Sequence, residues 1–600
     1  MFSTKFVKRY IFIVLLCISS WCAAQNIPVP LTYTRVYDFL DELITEGIIT
    51  HQTAVRPYTR VQVADMLTQA QTADSLLNMR QKKDLDFYLN EFALERDTMV
   101  DNYVQYTDHR TFSLSLADPQ FSYKSTNNLF KMRLRPILGA DITASKKGVI
   151  VQRWWGAELQ MDIAKHLSVW GSLRDNSWNG NWLSDKYFPS AGEKMYGARI
   201  HYGASQQYPA LSNLAGVQYK EANYGGDFSD SRGGISLYTW WGSIGIQREN
   251  IRWGDAYHCA NILSGNSPTV PMITMQLTPC KWFQFDYFHA WLVSNVLDST
   301  YFYLENSTDA TQPTINYRPY NKFMAANMFT ITPLKQLSLS FGNSIIYAEQ
   351  TIQAAYLIPI AFYKSLDHLL TKGVRTQNQN SQVFASVSVR PIDHLHLYAS
   401  AFIDEVKFSR FKLSNPENNP ISYLVGFNWS GWPIKGLSMK GEFMRSYIAT
   451  YIHSIDVLDY TSNSYNMGHY MGDNAQSIYA ELAYRPIRGM LLKLSYTNDS
   501  KYNSYAYLRD NISETIAQKP FDHCIYRNDE VRLDGIYEVH PNMYMTLSVG
   551  YNNAQGFDNQ KENALPSEAV GDAQYYLNRF CPLYYQGKNL SVSAAFSFGF

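Results

Sequence analysis

The sequence predicts an all-β transmembrane barrel of antiparallel strands, preceded by a small α-helical bundle. Three observations carry this reading. From about Phe112 to Phe600, apolar residues recur at every second position, the period of a strand. Along the same stretch, short proline-marked turns alternate with long connections. Aromatic residues make up 15% of the chain, with 45 Tyr, while charged residues reach only 17% and no segment offers the ~20 apolar residues of a spanning helix. Mean hydropathy is −0.28. A barrel needs only alternate residues apolar, so it need not look hydrophobic on average.

The chain opens MFSTKFVKRYIFIVLLCISSWCAAQ. Lys5, Lys8 and Arg9 form a cationic start, Tyr10 to Cys22 a short apolar run, and Cys22-Ala23-Ala24 a small-residue cleavage site. Residues 1–24 are therefore expected to be a signal peptide, with Gln25 at the mature N-terminus. Leu16 and Trp21 precede Cys17 and Cys22 where a lipoprotein signal needs a small residue, so lipidation is not expected.

Residues 25–105 are expected to form a periplasmic helical bundle. Val36, Phe39, Leu40, Leu43 and Ile44 recur at helical spacing, and Gly47 follows as a stop. Thr59-Arg60-Val61-Gln62 has the form of a capping box opening a second helix through Val63, Met66 and Leu67. A third runs through Leu76, Leu77, Leu85, Leu89 and Phe92. A structural plug and a binding module remain equal readings of this bundle.

Residues 106–600 are expected to form the barrel. Trp155, Ala157, Leu159, Met161 and Ile163 alternate with Gly156, Glu158, Gln160 and Asp162, and about twenty such strand candidates follow one another. Tight turns fall at Thr278-Pro279, Thr332-Pro333, Arg390-Pro391, Trp432-Pro433, Arg485-Pro486 and His540-Pro541. Proline presets φ and cannot donate to a ladder, so it punctuates strands. Short periplasmic turns and long outer connections are the asymmetry of outer-membrane barrels. Segments 294–322, 348–382, 405–420, 448–476, 499–528 and 553–588 then lie outside. In the terminal "NLSVSAAFSFGF", Leu590, Val592, Ala594, Phe596, Phe598 and Phe600 share one parity, and lipid is expected to cover them.

Lumen-facing charges such as Glu158, Arg174, Lys440, Glu481, Lys493, Arg532 and Asp534 suit a hydrated, paired interior. No HExxH, GxSxG, P-loop or CxxC motif is present, so the protein is not expected to be an enzyme, and neither a cofactor nor a metal is implied. Equal numbers of basic and acidic residues, 52 of each, give no electrostatic reason to bind nucleic acid. Cys259 falls in an outer loop and Cys280 in a periplasmic turn, whereas Cys524 and Cys581 lie in neighbouring outer loops and are a candidate disulfide.

The outer segments combine aromatic rings with Asn and Asp. Trp178, Trp182 and Tyr187 share one; Tyr460, Tyr465 and Tyr470 another; Tyr505 marks a third. Rings stack on sugar faces and amides or carboxylates satisfy hydroxyls, which makes these residues glycan-binding candidates. An interfacial aromatic girdle is the competing reading.

"YDFLDELITEGII" (37–49) and "RPYTRVQVADML" (56–67) resemble the helical module of the capsule-assembly Wzi family of outer-membrane barrels. "IRWGDAYHCANILSGNSPTVPMITMQL" (251–277) resembles its Trp-Gly segment, although Asp255-Ala256 stands where the family usually has Pro-Gly. Trp253 and Asp255 of that segment join the glycan-binding candidates. "RPYNKFMAANMFTITPLKQLSLSFGNS" (318–344), "YLIPIAFYKSLDH" (356–368) and "NQNSQVFASVSVRPIDHLHLYASAFIDE" (378–405) look more like the Bacteroidetes branch, including gliding-motility RemB-like proteins. The resemblance implies about 18 strands, a periplasmic bundle and a non-enzymatic surface lectin for capsular polysaccharide. The expected partners are outer-membrane lipid, surface polysaccharide and, optionally, other envelope proteins. The alternatives are an accessory component of gliding or secretion machinery and a passive porin.

Overall fold

The computed structural model describes residues 26–50, 53–96, 110–115, 120–125, 129–164, 166–179, 220–222, 225–305, 314–370, 379–411, 417–463, 465–503, 519–559 and 571–599. Eighteen antiparallel strands close into a barrel. They are β1 (Phe130–Ser145), β2 (Gly148–Ile163), β3 (Leu167–Asn179), β4 (Gly225–Thr239), β5 (Gly242–Glu249) and β6 (Val270–Cys280). Next come β7 (Phe283–Leu292), β8 (Lys322–Leu334), β9 (Leu337–Ala348), β10 (Gln379–Ile392), β11 (Leu395–Ile403) and β12 (Ile421–Ser430). The last are β13 (Leu437–Ser446), β14 (Ala475–Tyr484), β15 (Met490–Tyr502), β16 (Cys524–His540), β17 (Met543–Gly556) and β18 (Gly587–Phe598). Closure comes from β18 pairing with β1, Ser593 opposite Thr143 and Phe598 opposite Leu138. The hairpin of 110–115 with 120–125 joins the barrel sheet beside the start of β1, whereas 297–305 with 314–319 forms a two-stranded sheet of its own; both add to the strand candidates in the sequence.

Alternation sets the two faces. Ser591 and Ser593 of β18 line the lumen, while Leu590 and Val592 point outward, 57% and 51% exposed. Followed strand by strand through the pairings, the same parity puts Leu547, Leu533, Leu494, Val425, Leu173, Val149 and Ile142 on the outer wall, all exposed. An apolar band along these strands is a surface that hydrocarbon covers and water does not. Of the terminal phenylalanines, Phe596 is exposed on that band, but Phe598 is buried at the strand end, where the 120–125 strand extends the sheet alongside residues 131–134. Phe600 lies outside the described residues.

The prolines act as expected. The ladders shift register between Leu277 and Cys280, between Ile331 and Leu334, and between Val389 and Ile392, with Pro279, Pro333 and Pro391 inside those gaps. A residue without an N–H cannot fill a rung, so the strand bulges and turns. His394 and Asn542 take left-handed φ values of 75° and 57° in two of these turns.

The helical module precedes the strands as expected. Its helices are α1 (Thr34–Thr45), α2 (Arg60–Thr72) and α3 (Met79–Glu91). Thr59 and Gln62 form the expected capping box, and Gly47 ends the α1 region at φ 76°. The third helix starts later than expected: Asn78 caps it, and Leu76 belongs to a separate 3-10 turn. Val36, Leu40, Leu43, Val63, Leu67, Leu85 and Phe92 form the module's core.

This module seats against the short-turn end of the barrel. His394 N donates to Thr45 O at 2.7 Å, Gly489 N to Asp84 Oδ1 at 3.1 Å, and Tyr88 Oη to Glu538 Oε2 at 2.7 Å. At its edge, buried Glu91 takes Arg60, Arg133 and Arg135 together, each with a nitrogen 3.0 Å from Oε1. Burial alone would raise the Glu91 pKa, but Arg135, Arg133 and Arg60 outweigh it and hold the carboxyl well below its ordinary range.

Candidate functional site

Two long connections fold inward rather than out. Residues 250–269 enter the lumen, where Arg252 and Trp253 pair with Arg56 and Val55 of the helical module. Trp253 is 1% exposed and packs edge-on to Phe288 at 5.2 Å and Phe384 at 5.7 Å. Asn261 is fixed to the wall: its Nδ2 donates to Ser422 O at 3.0 Å, and Ser400 Oγ donates to its Oδ1 at 2.6 Å. The 447–474 connection then packs over this loop. Tyr451 Oη donates to Asn261 O at 2.6 Å and Tyr460 Oη to Ile262 O at 3.1 Å.

Between these loops, the module and the wall lies a polar cavity of about 620 Å³. Tyr37, Asp38 and Asp41 form part of its floor, and Arg56 holds Asp41 at 2.8 Å. Its wall carries paired charges: Lys440 to Glu481 at 2.8 Å, Lys493 to Asp534 at 3.3 Å and Arg532 to Asp534 at 2.7 Å. His258 stacks on Tyr479 at 4.3 Å, and Lys440 lies 4.7 Å from the Tyr257 ring centre. Burial, with Lys493 nearby, lowers the His258 pKa to about 4, so this imidazole is neutral at neutral pH. Arg252 also faces the cavity and makes no ion pair among the described residues. The lumen thus has the polar, charge-paired lining that the strand alternation implied. Among the described residues, the module beneath and the two loops folded into the lumen act as a plug around this cavity.

The sequence-derived glycan candidates divide three ways. Trp182, Tyr187 and Tyr505 lie outside the described residues. Trp178 is in β3, its backbone paired with Gln152 and Gly226. The remainder are brought together, but inside. Tyr460, Tyr465 and Tyr470 are buried with Trp253, and Tyr470 Oη reaches both Asp499 oxygens at 2.9 Å. Asp255, half-buried, accepts from Ser386 Oγ at 3.3 Å. These four rings pack the inward loops and leave no face for a sugar on the surface. The candidate pair Cys524 and Cys581 is not bridged, and both are free thiols. Cys524 Sγ contacts Tyr526 O at 3.4 Å, whereas Cys581 is buried at the end of helix α5 (Ala573–Phe580) with its Sγ 3.6 Å from Pro582 O; each thiol is engaged by its own neighbour.

Exposed rings do occur at the long-loop end, in a place the sequence reading passed over. The hairpin of 297–305 and 314–319 shows Tyr301, Phe302, Tyr303 and Tyr317 to solvent. Tyr301 and Tyr303 share one face, and Arg318 lies across both, 5.0 Å and 5.5 Å from the ring centres, with Nη1 3.2 Å from Tyr301 Oη. The run Tyr301-Phe302-Tyr303 inside a segment expected outside was the available signal.

A closed, plugged barrel with an apolar outer wall and aromatic outer loops is the architecture of outer-membrane barrels. No family model matches the sequence, and no curated protein matches it. Solved structures are similar in fold. One is Wzi of Escherichia coli, described as an outer-membrane protein involved in group 1 capsule assembly and a carbohydrate-binding β-barrel; it is 11% identical, with a TM-score of 0.52, covering 96% of this chain and all of that one. Another is OccK8 (OprE) of Pseudomonas aeruginosa, 9% identical with a TM-score of 0.40, covering 78% of this chain and 97% of that one. At such identities the likeness to Wzi establishes the fold.

Proposed function

We propose that this protein is a non-enzymatic outer-membrane barrel that binds or organises polysaccharide at the cell surface. The long-loop end faces out of the cell and the helical module sits on the periplasmic side. The observation that carries the reading is the 297–319 hairpin. Aromatic rings held in the open by a strand pair offer sugar stacking faces at low entropic cost, and Arg318 supplies donors for hydroxyl or carboxylate oxygens. The shared fold with a carbohydrate-binding barrel supports it. The plugged lumen argues against a passive porin, because charged side chains are tied to one another and two loops occupy part of the centre.

The test is binding of purified cell-surface polysaccharide to the protein in vesicles, wild type against Tyr301→Ala/Tyr303→Ala. Losing two stacking faces is expected to weaken binding at least about tenfold, from about 1 kcal/mol of partial ring burial each. Equal binding by both proteins, or none by either, removes the reading. Steady conductance in planar bilayers would favour the porin instead.

A further inference from the structure

Register assigns each residue of β7, β8 and β9 to one side of the wall. Phe288, Ala326, Met328 and Ile346 pack with Trp253 and Ile262 and therefore face the lumen. Their alternates, among them His289, Asn327, Asn343 and Tyr347, face outward. Elsewhere on the outer wall such positions are exposed, as Leu339 and Phe341 are a few residues down β9. Here they are buried: His289, Ala325, Asn327, Ile345 and Tyr347 have no exposed surface.

What covers them is the connection between β9 and β10, which the sequence places in an outer loop. It folds back along the outside of the barrel. Asn327 Nδ2 donates to Pro359 O at 2.8 Å and Ala361 O at 2.9 Å. Asn343 Oδ1 accepts from Tyr363 N at 2.8 Å, and its Nδ2 donates to Asn327 Oδ1 at 2.7 Å. Tyr287 Oη donates to Tyr356 O at 3.1 Å, and Gln353 N to Tyr347 Oη at 3.2 Å. The Tyr356 ring lies 4.8 Å from that of Tyr347. Asn343 is five residues before Ala348, so the cover descends about 16 Å along the strand. A short helix, α4 (Tyr363–Leu370), ends it.

We propose that residues 353–370 are a membrane-embedded cover, whose Leu357, Ile358, Ile360 and Phe362 contact the acyl chains of the surrounding bilayer. Both sides of the segment argue for this. Asparagine amides on a lipid-facing wall carry a large desolvation cost unless they are hydrogen-bonded. The cover bonds both, and in doing so occupies its own carbonyls at Tyr356, Pro359 and Ala361, which irregular backbone in hydrocarbon also requires. The opposite side is apolar: Leu357, Ile358, Ile360 and Phe362 are exposed, Ile360 to 69%, continuing the belt of Leu339 and Phe341. A surface connection meant for water would carry polar side chains there. The run Leu357-Ile358-Pro359-Ile360-Ala361-Phe362, too short to span a bilayer, thus acquires a role as a lipid-facing layer over one sector of the wall.

The inference rests on the membrane reading and not on polysaccharide binding. The test places the photo-crosslinker p-benzoylphenylalanine in turn at Ile360, at Phe341 on the bare belt and at Phe302 on the long-loop hairpin. Each full chain is reconstituted in phosphatidylcholine vesicles, irradiated and weighed by mass spectrometry. Lipid adducts are expected at 360 as at 341, and none at 302. An adduct at 341 with none at 360, or a 360 cross-link to a second protein chain, overturns the cover while leaving the barrel in the membrane. No adduct at 341 removes the membrane reading and the cover with it. As a second measure, Ile360→Asp is expected to lower the thermal unfolding midpoint in vesicles and Phe302→Asp to leave it unchanged; equal midpoints for both also overturn the inference.

Discussion

Glu91→Ala is expected to release the helical module from the barrel. The carboxylate sits among three guanidiniums, with Arg60, Arg133 and Arg135 each 3.0 Å from Oε1 and all four residues buried. Glu95 pairs with Arg60, and Glu158 lies near Arg135 and Arg133, so removing Glu91 takes away the carboxylate that directly bridges the buried Arg133 and Arg135 guanidiniums to the module. Breaking a buried pair in this way costs about 3–5 kcal/mol. The middle of that range raises the population of the undocked module about a thousandfold. The control is Asp74→Ala, which breaks the exposed Lys82–Asp74 pair on the same module and should cost at most ~1 kcal/mol. Hydrogen exchange of the α3 amides in the reconstituted protein reads the difference: fast exchange in Glu91→Ala, near wild-type exchange in Asp74→Ala. Identical protection in both variants would refute the claim that this buried network latches the module.

Three further outcomes follow from the same geometry. The latch should be insensitive to mild acid. Because the folded Glu91 carboxyl titrates below the unfolded one, its stabilisation is complete above about pH 4.3 and is lost only as pH falls through the lower folded value; protease digestion of the module should therefore stay slow down to about pH 5 and accelerate below about pH 4. Trp253→Ala should lower stability by about 3–5 kcal/mol by emptying a packed lumen site, measured as the midpoint of heat-induced unfolding in detergent, while polysaccharide binding by the folded fraction is unchanged. Reducing agent should leave the protein's electrophoretic mobility unchanged, and Cys581 should resist alkylation at about pH 8, because burial pushes its thiol up to about 12.

The wall of the barrel was legible because one physical constraint repeats along it. Every second residue of β18 or β2 meets the same solvent, so parity alone separates Leu590 from Ser591. Prolines at 279, 333 and 391 marked the turns for an equally local reason, the missing N–H. The capping box at Thr59 and Gln62 is local too. The candidate site was less legible, since ring chemistry does not say which way a loop folds. Tyr460 and Tyr470 have the composition of an exposed sugar platform and in fact fill the lumen, where Ile262 O and Asp499 accept from their hydroxyls. Only contacts with residues some 30 to 200 positions away distinguish the two outcomes. The same holds for 353–370, whose apolar run was visible but whose seat on Asn327 and Asn343 depends on the barrel already being closed. Cys524 and Cys581 were paired by loop adjacency, which fixes neither the separation nor the direction of two thiols.

The central claim is that alternate residues of the wall touch hydrocarbon while their neighbours enclose a polar, plugged interior. A single-cysteine scan of residues 589–597, each labelled with bimane and reconstituted in vesicles of brominated phosphatidylcholine, tests it directly. Strong quenching is expected at 590, 592, 594 and 596 and little at 589, 591, 593, 595 and 597. Quenching without a two-residue period, or a chain that stays dissolved without detergent and never enters the vesicles, would contradict it.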